Sequence, residues 1–375
     1  MGKLFTALGL MSGTSGDGVD ASIISSNGID QYSEITNKYF EYDNKIYENL
    51  HKLRGKILKS DDLKKNEDEI NHLEREITLF HAKIVNRILK LIDKKIDFIG
   101  FHGQTIYHNS IEKISKQIGD GNLLSQLTKK TVVYNFRQND IQHGGEGAPL
   151  TPVFHNLIVK NKSIEVPVII LNIGGIANVT AVNENDIDNL SSRDLGPGNC
   201  LIDEWIRTKT KNKFDKNGEI ANRGKTNELI LNQALDIFDN NRNQNSLSFD
   251  INDFSLGFIR GLDLEDGAAT LTEFTGIIIA EGLLKFLPKL KNNLCKVLVC
   301  GGGRKNSALI EIIKKKTFQK LIIQPIDDYG VDGDYVESQA FAFLAVRSFL
   351  NLPITYPSTT GCNKPLSGGL IVKNF

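Results

Sequence analysis

Four cysteines, at positions 200, 295, 300 and 362, are all that a chain of 375 residues carries. So few sulfurs cannot make a disulfide framework, and none stands in the paired C-x-x-C spacing of a zinc site. A reducing cytoplasm suits them. Net charge is also missing, because 45 Lys and Arg are balanced by 45 Asp and Glu. A protein that coats nucleic acid or anionic lipid carries a basic excess. Neither partner is therefore expected, and recognition falls to small molecules held by local chemistry. Long apolar runs are lacking as well: residues 166–179 and 274–287 are the longest, and Gly, Asn or Glu interrupts each before the ~20 residues that a bilayer span needs. No Walker lysine motif occurs. The glycine run at 301–303 lacks the third glycine of the dinucleotide fingerprint GxGxxG, with Asn306 in its place, which counts against an NAD-dependent dehydrogenase.

What the chain does have is length for two domains, at about 100 to 200 residues each, and 33 glycines. At the start, Lys3 and the apolar residues 4–11 resemble a short secretory segment, and Met1-Gly2-Lys3-Leu4-Phe5-Thr6 fits the loose myristoylation pattern. A buried first strand accounts for residues 5–11 better, because they lead straight into a glycine-rich turn. That turn, Ser12-Gly13-Thr14-Ser15-Gly16-Asp17-Gly18, precedes a second strand at 19–25. Its glycines permit close backbone approach, with Asp17 and Asp20 alongside, so a phosphate or metal-phosphate group suits it. An ordinary hairpin tip has the same composition.

Apolar residues recurring at three and four predict one amphipathic helix over 61–95, running from Leu63 to Leu91, with acidic residues first and lysines last. His51, His72 and His81 fall in or near it and need no catalytic role. A short strand at 96–101 follows, then His102-Gly103-Gln104-Thr105-Ile106-Tyr107-His108. Two histidines so spaced could bind sugar or a metal, although no carboxylate or cysteine accompanies them. A strand at 131–136 runs into Arg137-Gln138-Asn139-Asp140 and the glycine-rich stretch 143–149, which reads as a binding loop ahead of a helix at 151–159.

Residues 166–172 and 176–182 predict a second hairpin across Gly174-Gly175. Next, Asp194-Leu195-Gly196-Pro197-Gly198-Asn199 leads into a helix at 200–209, which Asn199 is placed to cap. Asp194 is a carboxylate aimed by a rigid backbone. A strand at 296–300, then Gly301-Gly302-Gly303, then a helix to 315 capped by Asn306 or Ser307 would bring backbone N–H groups to a nucleotide. A helix at 335–350 carries Glu337 in its first turn, and residues 353–369 read as a loop.

The two hairpins and the strand-glycine-helix segment come in the order of the sugar kinase, actin and heat-shock ATPase superfamily. More narrowly, Gly9-Leu10-Met11-Ser12-Gly13-Thr14-Ser15-Gly16-Asp17-Gly18-Val19-Asp20 resembles the signature of anhydro-N-acetylmuramic acid kinases. The resemblance continues through residues 102–105, 117–120, 147–150, 171–178, 194–199, 300–303 and 359–361, and so covers nearly the whole chain. It implies an α/β fold of two ribonuclease H-like domains flanking a nucleotide cleft, with residues 1–160 plus 345–375 in one and 161–344 in the other. It implies an enzyme that uses ATP, magnesium and water to open the ring of 1,6-anhydro-N-acetylmuramic acid and phosphorylate O6, in cytoplasmic recycling of peptidoglycan. A homodimer is expected on the same ground.

Carried over residue by residue, the family's general base falls on Asp194. Its first phosphate loop falls on Gly13, Thr14, Ser15, Gly16, Asp17, Gly18, Val19 and Asp20; the superfamily's second phosphate element, at Gly174 and Gly175, and its adenosine element, at Gly301, Gly302 and Gly303, complete the expected cofactor-binding residues. Arg137, Glu337 and His102 fall where the sugar is held, while no metal ligand is assigned. The chain departs from the family at Gly16, where leucine is usual, at Leu195 for threonine, and at Glu146 for glutamine. Its arginine-rich run is also reduced to Arg137-Gln138-Asn139-Asp140. A related anhydro sugar, or a nucleotide switch of the actin kind that hydrolyses ATP without sugar, are the alternatives.

Overall fold

A computed structural model describes residues 2–184, 186–241, 247–286, 295–318 and 320–375. The strands are β1 (Phe5–Ser12), β2 (Gly18–Ser26), β3 (Tyr32–Glu41), β4 (Phe98–Asn109), β5 (Ile114–Ile118), β6 (Thr131–Tyr134), β7 (Val168–Ile173), β8 (Ile176–Val182), β9 (Leu190–Pro197), β10 (Cys295–Cys300), β11 (Leu321–Pro325) and β12 (Leu370–Val372). They form two sheets, one in the order β12-β6-β4-β1-β2-β3 with β5 on β4, the other in the order β11-β10-β7-β8-β9. The chain divides into a first unit of residues 1–164, 185–191 and 335–375, and a second of residues 165–184 and 192–334.

Without β5 and β12 the two sheets have one plan. Each begins with an antiparallel hairpin, β1/β2 or β7/β8. Each then lays two parallel strands beside the first, β4 and β6 in one and β10 and β11 in the other. Parallel neighbours need a crossover, and here helical segments supply it. This is the ribonuclease H-like topology, present twice. Central β7 is buried along its whole length, which is why it reads in sequence as a continuous apolar run rather than an alternation.

Glycine seats one helix on the first sheet. Gly9 of β1 lies opposite Gly100 of β4 in register, and a Cβ at Gly9 would come 1.9 Å from the Ser338 carbonyl oxygen, one at Gly100 2.1 Å from that of Phe341. The paired glycines are a notch for the helix Val336–Phe349. That helix is buried almost all round. Its Arg347 donates to the carbonyls of Pro353 and Gly28 and to the Tyr356 hydroxyl. In the second unit the helix Leu264–Leu284 is long and apolar enough to cross a membrane, yet 78% of its most apolar stretch is buried. Small residues on it admit neighbours: a Cβ at Gly267 would meet the Trp205 ring at 2.4 Å and one at Gly276 would meet Ile312 at 2.4 Å. An all-round apolar helix of this kind is a core helix.

Several elements differ from the pattern reading. The single helix over 61–95 is two helices, Ser60–Lys65 and Glu67–Leu89, broken at Asn66, and Leu91 lies beyond the second and is 60% exposed. The strand at 96–101 runs on to Asn109, because its second half pairs with β5. Residues 353–369 contain the short helix Pro357–Thr360 and a bridge between Thr355 and Leu366. Asn199 makes no side-chain cap, whereas Asn306 does, accepting from the Leu309 N–H at 3.1 Å.

Candidate active site

In the first unit, the β1/β2 loop is held from below by side chains. The Gly16 N–H closes a turn onto the Gly13 carbonyl at 3.1 Å, and Gly16 takes φ +63°. Arg54, 7% exposed and in the last turn of the helix Asn44–Arg54, donates to the Thr14 carbonyl at 2.6 Å and to that of Thr105 at 2.8 Å. Gln104 of β4 donates to the Gly13 carbonyl at 3.0 Å. Ser15 donates its hydroxyl to Asp17. Burial lifts the Tyr39 phenol above its ordinary range, and the neighbouring Asp17, Glu41 and Asp20 lift it further. Beneath the loop, Ser12 bonds the Tyr42 hydroxyl at 2.9 Å and His81 Nε2 at 3.3 Å. Burial pushes His81 down to about 4, so it is a neutral core group, as expected of a histidine on the inner face of its helix.

A second cluster of the same unit surrounds Arg137. Its guanidinium donates to the Gly147 carbonyl at 2.7 Å and to His102 Nε2 at 2.9 Å. His102 in turn donates from Nδ1 to the Gly103 carbonyl at 2.8 Å. Burial, with Arg137 beside it, pushes His102 down to about 3, which fixes the neutral tautomer that can accept from an arginine. His108 bonds Ser115 at 2.9 Å, and burial, with the Arg137 charge, depresses it as it does His102. Removal from water raises Glu337, while Arg137 pulls it back. The loop that follows is organised by buried Asp140, which accepts from the Gly147 N–H at 2.8 Å and the Thr360 hydroxyl at 2.7 Å. Of the residues expected here, Arg137, His102 and Glu337 thus come together.

In the second unit, the Gly174-Gly175 turn is held by backbone N–H groups. The N–H groups of Gly198 and Cys200 donate to the Gly175 carbonyl at 2.9 and 3.2 Å, and that of Asn199 to Gly174 at 2.8 Å. A Cβ at Gly198 would stand 2.3 Å from the Gly174 oxygen. Asp194, 5% exposed, lies within β9, the strand that delivers these residues. Its backbone N–H donates to the Leu247 carbonyl at 2.7 Å, and its Oδ2 accepts from the Phe249 N–H at 2.9 Å.

After β10, Gly301 takes φ +79° and its N–H bonds the Gly333 carbonyl at 2.8 Å. A Cβ at Gly303 would stand 2.2 Å from Ile173 Cγ2, so the glycine run lies against the end of β7. Arg304 fixes it: the guanidinium grips Asp327 at 2.8 and 3.0 Å, reaches Asp334, and donates to the Gly301 carbonyl at 3.1 Å. Burial opposes its charge, and the two aspartates more than offset that. Arg54 and Arg304 carry no local motif, and sequence reasoning missed both. Among the described residues no group of three His, Cys, Asp or Glu could hold a metal ion.

Two ribonuclease H-like sheets, each with a glycine turn after its first strand, and a pinned glycine run after a later strand define the class that contains actin-like ATPases and sugar kinases. Within it, the chain belongs to the anhydro-N-acetylmuramic acid kinase family, whose model, described as "Anhydro-N-acetylmuramic acid kinase", matches residues 5–374. It is 57% identical, with 100% of both chains covered, to the anhydro-N-acetylmuramic acid kinase of Pelagibacter ubique (strain HTCC1062). It is 38% identical to that of Zymomonas mobilis, covering 97% of this chain and 99% of the relative. It is 37% identical to that of Brucella canis, with 100% of both covered.

Proposed function

We propose that this chain is an ATP-dependent kinase that opens the 1,6-anhydro ring of anhydro-N-acetylmuramic acid and phosphorylates O6, giving N-acetylmuramic acid 6-phosphate and ADP in peptidoglycan recycling. The observation that carries the reading is the double duty of one segment. β9 holds Asp194 buried with one oxygen on the Phe249 N–H, and four residues later the same strand's exit locks the Gly174-Gly175 turn. A carboxylate base and a phosphate-type turn are thereby fixed by one stretch of backbone.

Asp194 takes a proton from water as the water oxygen bonds to C1. The C1–O6 bond breaks, O6 bonds to the γ-phosphorus, and ADP leaves. A glycosidase needs a second carboxylic acid to protonate the departing oxygen. Here the phosphoryl group captures it, so one carboxylate serves. N–H groups of the first loop offset charge on the transferred group. Arg137 would meet the lactyl carboxylate of the sugar, and Glu337 would accept from its hydroxyls. Magnesium would neutralise phosphate charge, held by one or two carboxylates together with the substrate's phosphates. Asp17, half-buried in the first loop beside Ser15, has the chemistry for that place.

The test is ADP release from ATP with and without the anhydro sugar. Release that requires the sugar supports the kinase. Equal release in its absence contradicts the reading and favours a nucleotide switch.

A further inference from the structure

Arg54 and Gln104 come from different elements, yet both direct their side chains at carbonyls of the first loop. A trans peptide is planar, and its C=O and N–H point in opposite directions. The Thr14 carbonyl shares its peptide with the Ser15 N–H, and the Gly13 carbonyl shares its own with the Thr14 N–H. Drawing those two carbonyls to Arg54 and Gln104 therefore turns two successive N–H groups away from the side chains that hold the loop. Among the described residues neither N–H has a protein acceptor. Successive free N–H groups of a turn make an anion nest.

Two further observations tie the clamp together. Arg54 also donates to the Thr105 carbonyl through Nε and Nη2, so both anchors converge on adjacent residues of β4, Gln104 and Thr105. Gly16 makes room for the guanidinium: its φ of +63° suits glycine, and a Cβ there would meet Leu50 Cδ2 at 2.7 Å and Arg54 Nη1 at 3.2 Å.

We infer that Arg54 and Gln104 are positioning residues that hold the loop at residues 13–17 in its phosphate-binding conformation. This rests on reading that loop as one that takes nucleotide phosphates. Neither side chain needs to touch the nucleotide, since each acts through a peptide unit.

The experiment is calorimetric binding of ATP and of AMP to the full chain and to Arg54→Met, Arg54→Lys and Gln104→Leu, with thermal melting of each. AMP lacks the β- and γ-phosphates. ATP affinity is expected to fall roughly 30-fold in Arg54→Met and about 10-fold in Gln104→Leu, as for lost hydrogen bonds to a charged group, with Arg54→Lys in between. AMP affinity is expected to hold in every variant. Wild-type ATP affinity in the folded variants would overturn the inference, and so would a parallel fall of ATP and AMP affinity, which marks general damage. Should Arg54→Met fail to fold, Arg54→Lys and Gln104→Leu decide by the same criteria. Absence of sugar-dependent ADP release from the wild type, with ATP affinity still lost in the variants, would refute the kinase and leave the clamp standing.

Discussion

The first unit's β1/β2 loop and the second unit's β7/β8 turn occupy the same place in the same topology, but they are held in different ways. Arg54 and Gln104 hold the first by side chain, across 40 and 91 residues of sequence. The N–H groups of Gly198, Asn199 and Cys200 hold the second by backbone. A loop held by backbone depends on the absence of a Cβ, so its glycines announce it. A loop held by side chains depends on remote residues that the local sequence does not mark. Substitutions should therefore act by different physics in the two units, through steric exclusion in one and lost hydrogen bonds in the other.

The comparison is sharpest at Asp194, the base proposed for the backbone-held segment. Asp194→Asn keeps the shape of the side chain and removes the proposed base, so turnover should fall by roughly a thousandfold, with ring opening and phosphorylation lost together. Residual phosphorylation of the intact anhydro sugar, seen by mass spectrometry, would separate the two steps. The side-chain-held unit should in turn be the acid-sensitive one. All seven histidines of the chain lie at positions 51–155. Burial pushes His81 down to about 4, and His102, His108 and His155 to about 3. Their depressed values mean the unfolded chain binds more protons between about pH 6.5 and 3. Stability is therefore unaffected above that window and falls as pH drops into it, by about 1 kcal/mol per pH unit for each histidine. Hydrogen exchange at pH 7 and pH 5 should show residues 1–164 losing protection while β7, β8 and β10 keep theirs. Equal loss in both would contradict it.

Smaller effects test the backbone side. Gly198→Ala places a Cβ 2.3 Å from the Gly174 oxygen and should cost about 2 kcal/mol in denaturant unfolding, with a matching rise in the KM for ATP. Two asparagines then form a matched pair. Asn306→Ala removes a cap bonded to the Leu309 N–H and should cost about 1 kcal/mol. Asn199→Ala should cost less than about 0.5 kcal/mol, because its backbone N–H holds Gly174 at 2.8 Å while its side chain makes a long 3.4 Å bond. Equal costs would mean that the Asn199 side chain does more than its single 3.4 Å contact with the Ile173 carbonyl indicates.

The parts that were legible follow the same division. Both glycine hairpins, the helix Cys200–Lys209 and the Asn306 cap follow from local pattern. β3 does not, because most of this edge strand is exposed or half-buried and polar, without a clean alternation. The far half of β4 places buried His102 and Gln104 in a strand, and polar residues of that kind look like a loop until their partners Arg137 and Gly13 are known. The break at Asn66 is hidden because the spacing from Leu63 to Ile70 keeps helical period across it. Arg54 and Arg304 are single arginines whose acceptors are distant in sequence, and pattern carries no signal for them.

The central claim is that water opens the ring while O6 captures the phosphoryl group. The direct measurement is a mass spectrum of the sugar product formed from ATP in oxygen-18 water, reduced with borohydride at once to prevent exchange at C1. The account predicts one oxygen-18 at C1 and an unlabelled phosphate on O6. A phosphorylated product with its anhydro ring intact, or label in the phosphoryl group, would contradict it.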